Sequence, residues 1–446
     1  MSKIPQISKR SGAYVQFTPE RITNAIYRAF VAIGDRNNSI AEELSNKVVL
    51  ELETHFNESR IPTVEEIQDT VEKILIENGH VKVAKAYILY RNERALKRKE
   101  RAELASRPST NIPWAKIWHI LDWAVDQGVN TTSGVNQRIL KNELPDLVAS
   151  CEQQYEIDIE NAVEMIILRK NELRMVIISG PSSSGKTTTT IKIGKRLERI
   201  GMKLRTLNVD NYFFNLEMHP KDEFGDYDFE TPQALDIPLI NQHLSDLISG
   251  KEIFVPFYDF KTGMRTEQLT PMRLAENELI LIDSLHGLYA DMTQSITSEM
   301  KFKLYLEPLL QMKTSFGEYV RWTDLRLMRR MLRDASHRAY DPTKTLLHWH
   351  YVRSSEMRNI IPNINTTDYI INSGMPYEIC LYNHKLIKDF RNWVDLYQND
   401  PLKVDAFTRA KRTLQVLEEV LPLENDNFVP NDSVIREFIG GSSLTY

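Results

Sequence analysis

The run Gly180-Pro181-Ser182-Ser183-Ser184-Gly185-Lys186-Thr187 matches G-x-x-x-x-G-K-[ST], a spacing whose chemistry is phosphate binding. The glycines let successive backbone N–H groups turn toward anionic oxygens, and a helix that follows adds the positive end of its dipole. Lys186 can neutralise the transferring end of a triphosphate, Thr187 can ligate Mg²⁺, and Thr188 extends the cradle into the helix. The string alone does not separate a kinase from an ATPase or a GTPase switch. Two acids narrow it. Asp210 closes the apolar run that starts at Leu204, and Asp283 closes Leu279 to Ile282. At the carboxyl ends of neighbouring strands, both would face the crevice beside the phosphate loop, placed for Mg²⁺ or for an attacking hydroxyl. The bland alternative is two unrelated acids in surface turns.

The elements that must position these residues are short apolar runs alternating with helical patterns: Met175 to Ser179, Leu204 to Asp210, Glu278 to Asp283, Phe302 to Leu306 and Tyr369 to Asn372. Such runs read as buried parallel strands of a doubly wound α/β sheet. The phosphate loop follows the first run directly and precedes a helix ending near Gly201, the context its motif requires. The first hundred residues read instead as a small, mainly helical unit. It has a short extended piece around Ile7, an N-cap pair at Thr18-Pro19, a capping box at Thr63 and Glu66, and a stop at Gly79. Residues 101–170 read as a helical connector whose Trp114, Trp118 and Trp123 are better taken as a packed face than as a binding face. The expected domains are 1–100, 101–170, 171–385 and a helical extension, 386–446.

Bulk properties exclude several classes. The 446 residues carry 56 basic and 61 acidic side chains, a net charge of −5, so no positive field is on offer to nucleic acid. Cys151 and Cys380 are far apart and in no metal-ligand spacing, which suits a reducing, cytoplasmic setting. Neither a signal-peptide pattern nor an apolar run long enough to span a membrane is expected.

The phosphate loop, Val209-Asp210-Asn211-Tyr212-Phe213, Tyr227-Asp228-Phe229-Glu230-Thr231-Pro232, Val255 to Phe260 and Arg326 to Asp334 together resemble the uridine kinase and phosphoribulokinase family, most of all bacterial uridine-kinase-like nucleoside kinases. The likeness covers about 200 residues and extends to a tail, Pro430 to Ser442. It implies a P-loop kinase that uses ATP and Mg²⁺ to phosphorylate a small-molecule hydroxyl, a nucleoside by preference. Residue by residue, it implies that Asp210 orients and deprotonates the acceptor hydroxyl and that Glu230 grips the ribose. Tyr212, Tyr258, Phe260, Arg265 and His286 would lie around the acceptor. The arginines at helical spacing would close as a lid, with Arg329 and Arg333 on the phosphates; a solvated helix paired to Asp324 and Asp334 is the alternative. Gly263 stands where uridine kinases carry a base-contacting His, and Asp283-Ser284 replaces Glu-Gly, so base selectivity is not inherited.

Ile7 to Gly12, Phe17 and Val83 to Arg91 resemble the ATP-cone, a regulatory nucleotide-binding domain. That likeness implies a second nucleotide held by Lys9, Arg10 and Lys85. The reading is thus a nucleoside kinase tuned by a cone, with a homo-oligomer left open. A kinase of another hydroxyl metabolite, or a nucleotide-sensing regulator that keeps the kinase fold as a switch, are the alternatives.

Overall fold

The computed structural model describes residues 4–8, 14–35, 37–57, 60–92, 111–220, 227–337 and 341–445. The chain divides into two compact units, Met1–Ser109 with Leu396–Val404 and Thr110–Asp395 with Asp405–Tyr446. Residues 110–170 and 405–446 therefore group with the phosphate-loop region and not as separate bodies. Among the described residues no helix is long and apolar enough to cross a membrane.

In the first unit, β1 (Gln6–Ser8) pairs antiparallel with β2 (Tyr14–Gln16), followed by α1 (Glu20–Ala32), α2 (Asn38–His55), α3 (Val64–Glu77) and α4, residues 81–92. The capping box forms: Glu66 N–H donates to Thr63 Oγ1 at 3.2 Å, and Thr63 N–H donates to Glu66 Oε2 at 2.8 Å. The expected Thr18 cap does not form, because Pro19 takes the cap position and Thr18 Oγ1 donates back to Gln16 O at 3.4 Å. Ile22, Ile26, Phe30, Val48, Leu52, Val71 and Leu75 close a core of this unit's own. Lys9 and Arg10 lie outside the described residues.

The second unit starts with α5 (Trp114–Asp126), α6 (Thr132–Leu140) and the long α7 (Leu144–Leu168). Trp114 and Trp118 stay exposed on α5, against the expected packed face; burial on that helix falls to Ile120 and Ala124. Then come β3 (Met175–Ser179), α8 (Lys186–Glu198), β4 (Lys203–Thr206), α9 (Ile237–Ile248), the hairpin β5 (Ile253–Asp259) and β6 (Met264–Met272), β7 (Glu278–Asp283) and β8 (Lys301–Glu307). The chain continues through α10 (Trp322–His337), α11 (Pro342–Ser355), β9 (Tyr369–Asn372), α12 (Glu378–Tyr397), α13 (Val404–Glu419) and α14 (Arg436–Ile439).

Five strands form a parallel sheet in the order β4-β7-β3-β8-β9. All five residues of β3 are buried, as a central strand covered on both faces must be. On one face Met175, Ile177, Ile280 and Ile282 meet Leu207, Val209, Leu244 and Met292. Each such side chain contributes roughly 1.5–3 kcal/mol on burial, so the strand ends that carry the site are held by the core. The architecture is α/β, as expected. One strand is shorter than its apolar run: β4 stops at Thr206, and Val209–Tyr212 turns as a 3₁₀ helix, with Asn208 Oδ1 accepting from Asp210 N–H at 3.1 Å. Leu207 and Val209 are still buried in the core, which explains why the run reads as strand to its end.

Candidate active site

The loop Gly180–Thr187 joins β3 to α8 at the carboxyl edge of the sheet. Gly185 has φ +92°, and a Cβ there would lie 2.4 Å from Val434 Cγ2, so both conformation and space require glycine. Lys186 Nζ donates to Gly180 O at 2.9 Å and Pro181 O at 3.3 Å. Burial draws its ammonium below the ordinary value, with Arg333 and Arg326 adding to that and Asp283 and Glu437 opposing it. Thr187 is exposed at the second position of α8, and the buried Ser183 and Ser184 hydroxyls have no hydrogen-bond partner. Orphaned donors of this kind in a phosphate loop are what an incoming phosphate would satisfy.

Asp210 and Asp283 are brought together. Asp210 is exposed at its surface, yet loss of hydration raises its carboxyl above the ordinary value, the charge of Asp283 raises it further, and Lys186 opposes both. Burial likewise raises Asp283, opposed by Lys186 and by Thr190 Oγ1, which donates to Asp283 Oδ2 at 3.3 Å. No cluster of three or more His, Cys, Asp or Glu is placed for a metal among the described residues. Two mutually repelling carboxylates and the Thr187 hydroxyl nevertheless fit Mg²⁺, which takes one or two protein carboxylates and completes its shell with water and phosphate.

Asp283→Asn should therefore move the acid limb of the kcat/KM profile to lower pH. A base whose pKa is raised loses its activity at higher pH on acidification than an ordinary aspartate, and removing the neighbouring charge lowers that pKa. pH–rate profiles of both proteins test it; an unmoved limb separates Asp210 from that titration.

Glu230 lies 3.8 Å from Arg330 Nη1, whose guanidinium also donates to Ser182 Oγ at 3.2 Å. Burial raises the Glu230 carboxyl, Arg330 opposing. The Glu230 carbonyl accepts from Ser355 Oγ and from Asn359 Nδ2, at 3.4 Å in the second case, so α11 and the turn after it fix this segment. Beside it stands an aromatic cluster: Phe213 is 5.4 Å from Tyr258 and 5.8 Å from both Phe229 and Phe260, and His219 is 4.8 Å from Phe229. Phe229 and Phe260 keep exposed edges, and the buried Tyr258 hydroxyl has no partner. His286 is also buried, with both ring nitrogens unpartnered, and burial pushes its pKa down to about 4, leaving a neutral imidazole near Lys186.

Three expected residues are placed otherwise. Arg329 is committed to protein groups: it is fully buried, its Nε and Nη2 at 2.7 and 2.8 Å from the two oxygens of Glu378, Nη2 also reaches Ser373 O at 2.7 Å, and Nη1 reaches Ser184 O of the phosphate loop at 3.5 Å. Arg330, one residue on, is the arginine that reaches both the phosphate loop and Glu230. Tyr212 is a core residue whose hydroxyl meets His243 Nδ1 at 2.8 Å. Arg265 spends its donors on Phe213 O, Tyr212 O and Asp236, bracing the turn that carries Asp210. Arg333 pairs with Asp334 at 3.3 Å while its charge acts on Lys186. Gly263 has φ +70° and a virtual Cβ 2.9 Å from Leu216 Cβ, so no histidine fits there without rearrangement. Two cavities, of about 320 and 550 Å³, lie elsewhere, the first walled by α5, α7 and β9 and the second beside α7, α8 and Asp432.

Sequence reasoning did not single out Phe213, His219 and Phe229 as members of this aromatic cluster, Arg330 as the cation between Ser182 and Glu230, or Glu437, whose Oε2 accepts from Thr188 Oγ1 at 2.9 Å. The aromatic spacing was a readable signal; for Glu437 the signal was the family-like tail Pro430 to Ser442, which does not name its partner.

Residues 5–96 match the ATP cone domain and residues 175–379 the Phosphoribulokinase / Uridine kinase family. Uridine-cytidine kinase B of Dictyostelium discoideum is 28% identical over 198 residues, which is 44% of this chain and 73% of that protein. A uridine kinase of Macrococcus caseolyticus is 30% identical over 161 residues, 36% of this chain and 68% of its own length. A solved structure described as a possible uridine kinase from Bacillus stearothermophilus aligns with a TM-score of 0.32 at 15% identity, over 49% of this chain and 98% of its own. With its phosphate loop, the acids Asp210 and Asp283 beside it, and a matching cone, the chain belongs to the phosphoribulokinase and uridine kinase family, phosphotransferases that act on hydroxyl acceptors.

Proposed function

We propose that the chain is an ATP-dependent nucleoside kinase that transfers the γ-phosphoryl group to a sugar hydroxyl. The observation that carries this reading is Arg330, which touches the phosphate loop at Ser182 and faces Glu230, so a donor phosphate and a diol-binding carboxylate lie within one side chain of each other. Glu230 accepts from the sugar hydroxyls, and Phe229, Phe260 and Tyr258 offer ring faces and an orphaned hydroxyl to the base. Asp210, its pKa raised, holds the acceptor hydroxyl and takes its proton as the phosphoryl group arrives. Lys186, with Arg330 and Arg333 from α10, balances the charge on the transferring group. Mg²⁺, held by Thr187, Asp210 and Asp283, would supply neutralisation of the phosphate oxygens. The names of the relatives support the nucleoside class. The cramped Gly263 speaks for a base contact unlike the histidine of uridine kinases.

The test is ADP release from ATP across a panel of nucleosides and sugar phosphates, with Asp210→Ala as control. Stimulation by a nucleoside alone supports the reading; if no acceptor raises ADP release above the control, the reading fails. In the same terms, the cone binds a regulatory nucleotide with the exposed Lys85 as one contact. A full-length Lys186→Met protein, its phosphate loop crippled, should still bind dATP, and Lys85→Ala should weaken that binding about tenfold, the value of one charge-assisted contact. Calorimetry that finds no dATP bound removes the cone from the scheme.

A further inference from the structure

The phosphate loop in this structure is satisfied only in part, and from within the chain. Lys186 rests on loop carbonyls, the Ser183 and Ser184 hydroxyls are buried without partners, and Thr188 donates its N–H at 3.3 Å and its hydroxyl at 2.9 Å to Glu437 Oε2. Thr188 is the third residue of α8, where the N–H has no acceptor within the helix. At the start of a phosphate-binding helix, such donors face an anionic oxygen. Here the anionic oxygen belongs to a carboxylate 249 residues further along the chain.

The segment that delivers it is seated firmly. Val434 lies against Gly185, the Phe438 ring is 4.8 Å from the Arg329 guanidinium, Ser433 Oγ donates to Glu152, and Lys192 pairs with Asp432 at 3.1 Å. Glu437 itself is 7% exposed. Two roles fit a carboxylate so placed. As a prop, it would align α8 and nucleotide binding would suffer without it. As a stand-in for phosphate, it would hold donors that the nucleotide needs, and like charge would oppose entry. The geometry favours the second, because the acceptor sits on both donors of a single cradle residue while neighbouring loop hydroxyls remain unmet.

Resting on the reading of this loop as the donor site, we propose that Glu437 is a residue of that site. Its carboxylate occupies the Thr188 donors in place of a phosphate oxygen and is displaced when a nucleoside polyphosphate binds, so that Ser433 to Gly441 loosens as the nucleotide enters.

The two roles predict opposite signs. Glu437→Gln keeps the shape and an acceptor oxygen but removes the charge. Calorimetry on the full chain with MgATP and no acceptor should show binding about five- to tenfold tighter than wild type, the difference between a charged and a neutral competitor. Equal or weaker binding overturns the proposal. Hydrogen exchange on the unmodified protein decides independently of whether the variant folds. Adding MgATP should protect residues 180–188 and speed exchange across 433–441, whereas added protection of both segments overturns it. Since no acceptor is present, a failure of the nucleoside assignment leaves these outcomes untouched. If neither protein binds MgATP, the donor reading falls, and this proposal with it.

Discussion

Asp210→Asn is expected to lower kcat by about 10²- to 10⁴-fold, the usual worth of a positioned general base. The melting temperature should barely change. Asp210 is exposed, its backbone N–H is held by Asn208, and its carboxylate stands among repelling charge, so the fold gains nothing from its ionisation. The isosteric amide keeps the shape of the turn and still contacts a hydroxyl, so KM for the acceptor should move much less than kcat. Steady-state kinetics with the acceptor found by the panel measure this. A variant that keeps more than a tenth of wild-type kcat would show that the proton leaves by another route.

Arg329→Met is expected to have the largest effect on stability. It leaves Glu378 as a fully buried carboxylate whose remaining donors are Met375 N–H and the Tyr382 hydroxyl, both at 2.8 Å. Breaking a buried pair from one side costs roughly 3–5 kcal/mol, a fall in melting temperature on the order of 10 °C. The Ser373 hydroxyl, which donates to Ser184 O, would also lose its guanidinium neighbour, so ATP binding should weaken along with the fold. Replacing Glu378→Met as well should recover most of the stability, since a well-packed apolar pair often matches a buried ion pair. Calorimetric melts of the single and double variants measure both. An Arg329→Met protein that melts like wild type but loses turnover would return Arg329 to the phosphates.

The contrast between Arg329 and Arg330 shows where the sequence stops being readable. Helical spacing correctly put Arg326, Arg329, Arg330 and Arg333 on one helix. Their roles depend on partners that spacing cannot reveal: Glu356 for Arg326, 30 residues away, and Glu378 for Arg329, 49 residues away. The phosphate loop was readable because its function resides in a local backbone shape, and a short glycine-rich string specifies that shape. The central strands β3 and β7 were readable because parallel strands covered on both faces are nearly continuously apolar, whereas the edge strand β4, Lys203–Thr206, is mostly exposed and its run was extended by the buried Leu207 and Val209 beyond it. The run to Asp210 reads as strand to its end because Leu207 and Val209 are buried like strand residues, yet they belong to the loop and turn after β4. The hairpin β5–β6 went unread because Phe254, Phe257 and Phe260 are exposed, which blurs the alternation that announces an antiparallel pair.

The contact between Thr188 and Glu437 also sets a schedule for the protein's birth. At about 5–20 residues per second, the ribosome needs roughly 12–50 s to travel the 249 residues from one to the other. In the later part of that interval, once β7 and β8 have emerged to flank β3, the sheet, the loop and α8 can assemble as a nascent domain with Gly185 uncovered by Val434 and the Thr188 donors not yet met by Glu437. A nucleotide bound during synthesis would then be part of how this chain folds as well as what it consumes.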